Sequence, residues 1–207
     1  MSTIKLHGFP LSGHSHRVEL MLSLLGLDAE IITVDLGNGA HKTAEFLQKN
    51  SFGQVPVLED GDFVLSDSNA IISYLATQYD SARSWLPVNA VSAAQVQRYL
   101  SIAAGLVAFG PAAARLANVF GASIDKEKVI ASAHALLTTL NTELEGRQWL
   151  VGDQPTIADV ANYSYIAHAP EGDVSLENYS HVNAWLKRIE NLPRFIPMQA
   201  TAVGLAA

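Results

Sequence analysis

The 207-residue chain contains no cysteine. Disulfides, thiolate metal sites and a cysteine nucleophile are thereby excluded. Charge is sparse, at 16% of residues, and lopsided, with 13 lysines and arginines against 20 aspartates and glutamates for a formal charge of -7. No basic cluster is present to follow a phosphate backbone, so nucleic acid is not an expected partner. The first residues, Met1-Ser2-Thr3-Ile4-Lys5-Leu6, form no apolar signal core, and no stretch reads as long enough to span a bilayer, so a soluble cytoplasmic protein is expected. Seven histidines are present. His14 and His16 lie two apart in a turn, and His134, His168 and His181 fall on separate predicted helices with no pairing at helical spacing, so no metal site is expected.

What the chain does have is apolar residues, 49% of the total, which exclude general disorder and suffice for one large core or two small ones. Their spacing changes along the chain. Ile4, Leu6 and Gly8 alternate with polar neighbours as in a strand, Phe9-Pro10-Leu11-Ser12-Gly13 is a loop, and Val18, Met21, Leu22 and Leu25 recur at helical spacing from about Ser15 to Gly26. Ile31 to Val34 is a β-branched second strand, and a short helix follows around residues 44–49. The resulting order, βαβα and then ββα, predicts an α/β domain over residues 1–79. Residues 80–89 read as a linker. Beyond them the strands stop, and residues 90–207 predict an all-helical second domain. Its first helical stretch carries Val96, Leu100, Ala103 and Val107 on one face and is kinked or divided at Gly110-Pro111. Thr156-Ile157-Ala158-Asp159 reads as a capping box with Asp in place of Glu or Gln, and two short helices, at about 181–190 and after Pro193, end the chain.

The organising stretch is 50–71, Asn-Ser-Phe-Gly-Gln-Val-Pro-Val-Leu-Glu-Asp-Gly-Asp and onward through Asp67-Ser68-Asn69-Ala70-Ile71. Pro56 cannot donate to a ladder and belongs at a strand's first residue, and Asp60-Gly61-Asp62 turns the strand back as a hairpin. A cis bond at Val55-Pro56 would leave the Val55 backbone N–H and C=O facing outward, a docking edge for a peptide-like ligand. Asp67-Ser68 opens a helix, and a helix N-terminus with a hydroxyl binds carboxylates.

This stretch resembles the glutathione-binding half of the glutathione transferases, with their thioredoxin-like domain. Trp-Leu-Val-Gly-Asp-x-Pro-Thr-Ile-Ala-Asp at residues 149–159 is similar to the segment that opens the core helix of their C-terminal domain. Gly8-Phe9-Pro10-Leu11-Ser12-Gly13-His14-Ser15-His16-Arg17-Val18 looks like the first strand-to-helix loop of the serine-type members, similar to the phi and theta classes. The resemblance implies that Ser12 donates a hydrogen bond to the glutathione thiolate, with Ser15 as runner-up; an N-cap role is the structural alternative for Ser12. It implies that His41, Lys42 and Gln54 hold the glycyl carboxylate, that Val55 and Pro56 present backbone to the cysteinyl residue, and that Asp67 and Ser68 hold the γ-glutamyl end. Asp67 departs from the glutamate usual in the phi class, and Gly13 stands where the beta class carries a cysteine. An electrophile would be walled by Phe9, Leu11, Phe109, Arg115, Tyr163 and Tyr165.

The implied function is conjugation of glutathione to an electrophile, or reduction of a peroxide. Glutathione is the co-substrate, no other cofactor is expected, and the partner is a second copy of the chain in a homodimer. The alternatives are a non-catalytic binding relative and a glutathione-dependent isomerase or dehalogenase.

Overall fold

A computed structural model describes residues 4–207. The chain divides into two compact units, Met1–Ala82 with Pro193–Gln199, and Arg83–Leu192 with Ala200–Ala207.

Unit 1 is a four-stranded sheet flanked by helices. Its elements run β1 (Ile4–Gly8), α1 (Gly13–Leu25), β2 (Ala29–Thr33), α2 (Ala44–Lys49), β3 (Val57–Asp60), β4 (Phe63–Ser66) and α3 (Ser68–Tyr79). The strand order is β2-β1-β3-β4. β1 pairs parallel with β2, while β1 with β3 and β3 with β4 are antiparallel, the last pair closed by the hairpin expected at Asp60-Gly61-Asp62. This is the α/β half of the expected fold. α1 packs on α3. Their side chains Val18, Met21, Ile71, Ile72 and Leu75 are fully buried, each worth about 1.5–3 kcal/mol on removal from water. Val34, Phe46 and Val57 form a separate small core beneath α2.

Unit 2 is all helical, with α4 (Ala90–Ile102), α5 (Pro111–Phe120), α6 (Lys126–Glu143), α7 (Ile157–Ala167) and α8 (Ser180–Glu190). α4 runs into a π-helical segment, Ala103–Val107, and Gly110-Pro111 divides it from α5, as the sequence predicts. The apolar stripe Val96, Leu100, Ala103 and Val107 is buried. α7 is the central helix, buried along almost its whole length, and it opens on the Thr156–Asp159 capping box.

Four expectations are corrected. The helix predicted after Pro193 does not form: Pro193 and Pro197 each lack an N–H, Arg194 takes φ +66°, and the segment lies on α1 of unit 1 instead. There Ser23 Oγ donates to the Arg194 carbonyl (2.6 Å) and the His16 ring to the Ile196 carbonyl (2.9 Å). Residues 193–199 therefore belong to the first unit, not to a helical domain running from 90 to 207. The second strand sits two residues earlier than predicted at its start, because Ala29 pairs with Ile4 in the parallel ladder. Finally, the run Ala90–Phe120 does hold an 18-residue window of mean hydropathy 1.5, long and apolar enough by length and composition to cross a bilayer.

Candidate functional site

β1 delivers the chain into a tight loop in which the Ser12 N–H donates to the Phe9 carbonyl (2.9 Å). Ser12 is the N-cap of α1, and its Oγ accepts the Ser15 N–H at 3.3 Å, so the capping role considered for this residue is real. Capping uses the hydroxyl as acceptor only. The cap does not use its proton, and the side chain is half-buried. Ser15, the runner-up, differs: it is fully buried, and its Oγ accepts the Phe9 N–H (3.1 Å).

α3 starts at Asp67, which holds φ +73° and accepts the Ala70 N–H on Oδ1 (2.9 Å). Nonglycine residues reach such a φ at a cost, and aspartate is among those that tolerate it best. Ser68 beside it is buried. Its hydroxyl accepts from Arg17 Nη1 (2.7 Å) and lies 3.3 Å from His14 Nδ1. Arg17 also donates to Asn69 Oδ1 (2.9 Å). Burial first, and then the Arg17 charge, push the His14 imidazole down to about 4, with Asp67 pulling the other way. His14 is thus a neutral acceptor at pH 7. Ser12, His14 and Arg17 leave the start of α1, and through Ser68 that turn is tied to the start of α3.

From the sequence, His14 stands out only as a candidate metal ligand. The signal for its place is its distance of two from Ser12, which puts it on the first turn of the helix. Among the described residues no group of three or more His, Asp or Glu is placed to hold a metal ion.

A second cluster forms ahead of β3. The Lys42 ammonium donates to the carbonyls of Phe52 (3.3 Å) and Gly53 (3.0 Å), and Asn50 Nδ2 donates to the Gln54 carbonyl (2.8 Å). Gly53 is needed here: φ is +57°, and a Cβ would sit 2.7 Å from the His41 carbonyl and 2.9 Å from Lys42 Nζ. His41 Nδ1 is buried with no hydrogen-bond partner among the described residues. The Val55-Pro56 bond is cis, and the ladder to β1 begins only at Val57, opposite His7. Gln54 is exposed and Val55 half-buried. Unit 1 therefore presents a helix-start hydroxyl, a helix-start carboxylate and hydroxyl, a cationic loop and a stretch of backbone outside the ladder, the parts that recognition of a peptide with free carboxylates requires.

The residues named as electrophile walls are more dispersed. Phe9 and Leu11 are half-buried in the first loop of unit 1. In unit 2 Phe109 is 73% exposed and, with Leu106 and Ile102, lines an apolar cavity of about 650 Å³. Arg115, Tyr163 and Tyr165 are core residues of that unit. Arg115 Nε makes a buried ion pair with Glu171 (2.5 Å). The Tyr163 hydroxyl donates to Glu190 (3.1 Å) and is pushed well above the ordinary tyrosine value by burial and by that carboxylate.

Two family models match, the glutathione S-transferase N-terminal domain over residues 2–77 and the C-terminal domain over 100–193. Glutathione S-transferase 3 of Zea mays is 36% identical over 94% of this chain and 92% of its own. The chain belongs to the glutathione S-transferase family. As a member it is a transferase with a thioredoxin-like domain followed by a helical one. Its solved neighbours agree: a glutathione S-transferase from Pseudomonas fluorescens superposes with TM-score 0.90 at 32% identity, covering 96% of this chain and 100% of that one. A glutathione transferase homologue from Drosophila mojavensis with bound glutathione gives TM-score 0.82 at 30% identity over 93% and 90%.

Proposed function

We propose that this transferase binds reduced glutathione on unit 1 and holds its sulfur as a thiolate through the Ser12 hydroxyl, for attack on an electrophilic carbon or a peroxide oxygen. The observation that carries the reading is the contrast in exposure between the two serines: each hydroxyl accepts one backbone N–H, but Ser15 is sealed at 0% exposure, whereas Ser12 is half-buried. A free thiol of pKa about 8.5 is mostly protonated at neutral pH, and each unit of lowering needs about 1.4 kcal/mol of preference for the thiolate. One hydroxyl donor and the N-terminus of α1 are of that scale.

In this reading His41, Lys42 and Gln54 take the glycyl carboxylate, the Val55 backbone pairs with the cysteinyl residue next to Pro56, and Asp67 with Ser68 takes the γ-glutamyl end. The buried, unpartnered His41 Nδ1 and the Arg17-backed hydroxyl of Ser68 favour it. The electrophile lies against Phe9 and Leu11. We further propose that the protein is cytoplasmic and a homodimer, the dimer because Phe52 in unit 1 and Val91, Leu106 and Phe109 in unit 2 leave large apolar side chains in solvent.

The test is the ultraviolet absorbance of the thiolate of bound glutathione, titrated over pH in wild type, Ser12→Ala and Ser15→Ala. The expected result is a depressed thiol pKa in wild type and Ser15→Ala that returns to the free value in Ser12→Ala. Binding with an unshifted thiol in all three makes the chain a non-catalytic relative, and no binding in any refutes the tripeptide site. Turnover of halogenated and isomerisable substrates then separates conjugation from dehalogenation and isomerisation.

A further inference from the structure

The segment Pro193–Gln199 does not seal the face of unit 1 on which it lies. Between it, the first turns of α1 and the ends of β1 and β2 is a cavity of about 230 Å³. At about 30 Å³ per water in the liquid, this is room for about seven waters, or for an organic molecule of a few carbon atoms. Glu19 lines it from α1, Thr33 from β2 and Gln199 from the tail, with Ile31 and Pro197 as apolar wall. Ile31 is 51% exposed although it sits in a strand. Gly8 lines the cavity where β1 ends; a Cβ there would begin 3.2 Å from the Ser15 Cβ and 3.6 Å from Glu19 Oε1.

The Glu19 carboxylate has no hydrogen bond or ion pair among the described residues, and burial alone pushes it above the ordinary glutamate value. No lysine or arginine lines the cavity. The remaining titratable lining residue, His16, is itself only 2% exposed and has its ring nitrogen on the Ile196 carbonyl. A half-buried anion with no partner costs free energy that a cation of the right size returns. The net charge of -7 draws cations toward the chain in general.

We propose that this cavity is a binding site for a primary ammonium ion on a short alkyl stem, with Glu19 as its counter-charge. The three N–H donors of such a head match three acceptors in the lining, the Glu19 carboxylate, the Thr33 hydroxyl and the Gln199 side-chain carbonyl, while the stem lies on Ile31 and Pro197. The site involves neither Ser12 nor any of the residues assigned to glutathione above, although Phe9, assigned to the electrophile, also lines it.

The probe is butan-1-ammonium chloride, titrated into the full-length protein at constant ionic strength, with binding read from the backbone amide shifts of Gly8, Thr33 and Gln199 and from calorimetry. Butan-1-ol and sodium butyrate serve as the neutral and anionic counterparts. The expected result is saturable 1:1 binding of the ammonium, at least tenfold weaker binding of the alcohol, and none of the butyrate. Glu19→Gln, which keeps the volume and hydrogen-bonding reach, should weaken the ammonium at least tenfold while glutathione affinity and melting temperature are retained. Non-saturating shifts, equal binding of the alcohol, or unchanged affinity in Glu19→Gln would each overturn the assignment, and the first two comparisons need no variant.

Discussion

Replacing Asp159 with alanine should bring unit 2 to the edge of unfolding. Asp159 is 1% exposed and accepts four hydrogen bonds: Leu150 N–H (3.0 Å) and Trp185 Nε1–H (2.9 Å) on one oxygen, Thr156 N–H (2.9 Å) and Thr156 Oγ1–H (3.3 Å) on the other. These donors are themselves buried, Leu150 and Thr156 at 2% exposure and Trp185 at 0%. Alanine orphans three that cannot rotate away, the two backbone N–H groups and the indole N–H. Each buried unsatisfied donor costs about 1–3 kcal/mol, so the sum is about 4–7 kcal/mol after partial relaxation. That is comparable with the whole stability of a typical domain, about 5–15 kcal/mol.

All three tryptophans, Trp85, Trp149 and Trp185, lie in unit 2, so tryptophan fluorescence during urea unfolding reports on it directly. With a urea slope of about 2 kcal/mol/M, the midpoint should fall by at least about 2 M. Asp159→Asn keeps one accepting oxygen but turns its amide toward donors, and should cost about 1–3 kcal/mol. Trp185→Phe deletes the indole donor, so combined with Asp159→Ala it removes an orphan; the double-mutant cycle should give a coupling of about 1–2 kcal/mol. An Asp159→Ala protein within about 1 kcal/mol of wild type, or a cycle with no coupling, would refute the hydrogen-bond accounting.

Three further outcomes are expected. Gly53→Ala combines a left-handed φ with a Cβ 2.7 Å from the His41 carbonyl, so it should cost about 1–2 kcal/mol in thermal unfolding and raise the glutathione KM several-fold with a smaller change in kcat. Burial raises the Glu171 carboxyl, but His168, the Thr201 N–H and Arg115 bring it below its ordinary value. Its contribution is therefore present above the unfolded pKa of about 4.3 and lost as pH falls through the lower folded value, and Glu171→Gln should flatten the acid limb of the melting curve while lowering stability at pH 7. His14 has the opposite chemistry and the same sign. Folded it titrates at about 4 against an ordinary 6.5, so the unfolded chain binds the extra proton between those values and stability should decline as pH drops through that window. An NMR titration in which the His14 ring protonates near 6.5 would contradict this.

Much of the candidate site is legible in the sequence because its signals are local. Pro56 and the Asp67-Ser68 pair announce themselves by backbone restriction or helix capping, and each is read within a few residues of chain. The capping box at Thr156 and Asp159 is visible for the same reason, although its wider role is not: Leu150 and Trp185, which also bond to Asp159, come from nine and 26 residues away. The place of His14 beside the candidate site is not legible, because it depends on contact with Ser68, 54 residues on. The apolar period cannot distinguish a core tyrosine from a pocket tyrosine. Tyr163 and Tyr165 recur with the same spacing either way, and only packing buries both.

The tail shows where local pattern fails. Residues 193–199 carry two prolines and little helical period, and only the helices that precede them suggest that helix continues. Their place is decided by two carbonyls, those of Arg194 and Ile196, which find donors on Ser23 and His16, 171 and 180 residues earlier. Up to Pro193, the succession of strands and helices along the chain, the breaks at glycine and proline, and the capping box were legible locally, because these follow from φ restriction, periodicity and hydrogen bonds within one turn. Packing decided the rest: that Ser15 is sealed while Ser12 stays half-buried, that Ser68 stands on Arg17 and His14, and that the tail leaves a cavity lined by Glu19. Those outcomes depend on burial and on long-range hydrogen bonds, which no window of the chain contains.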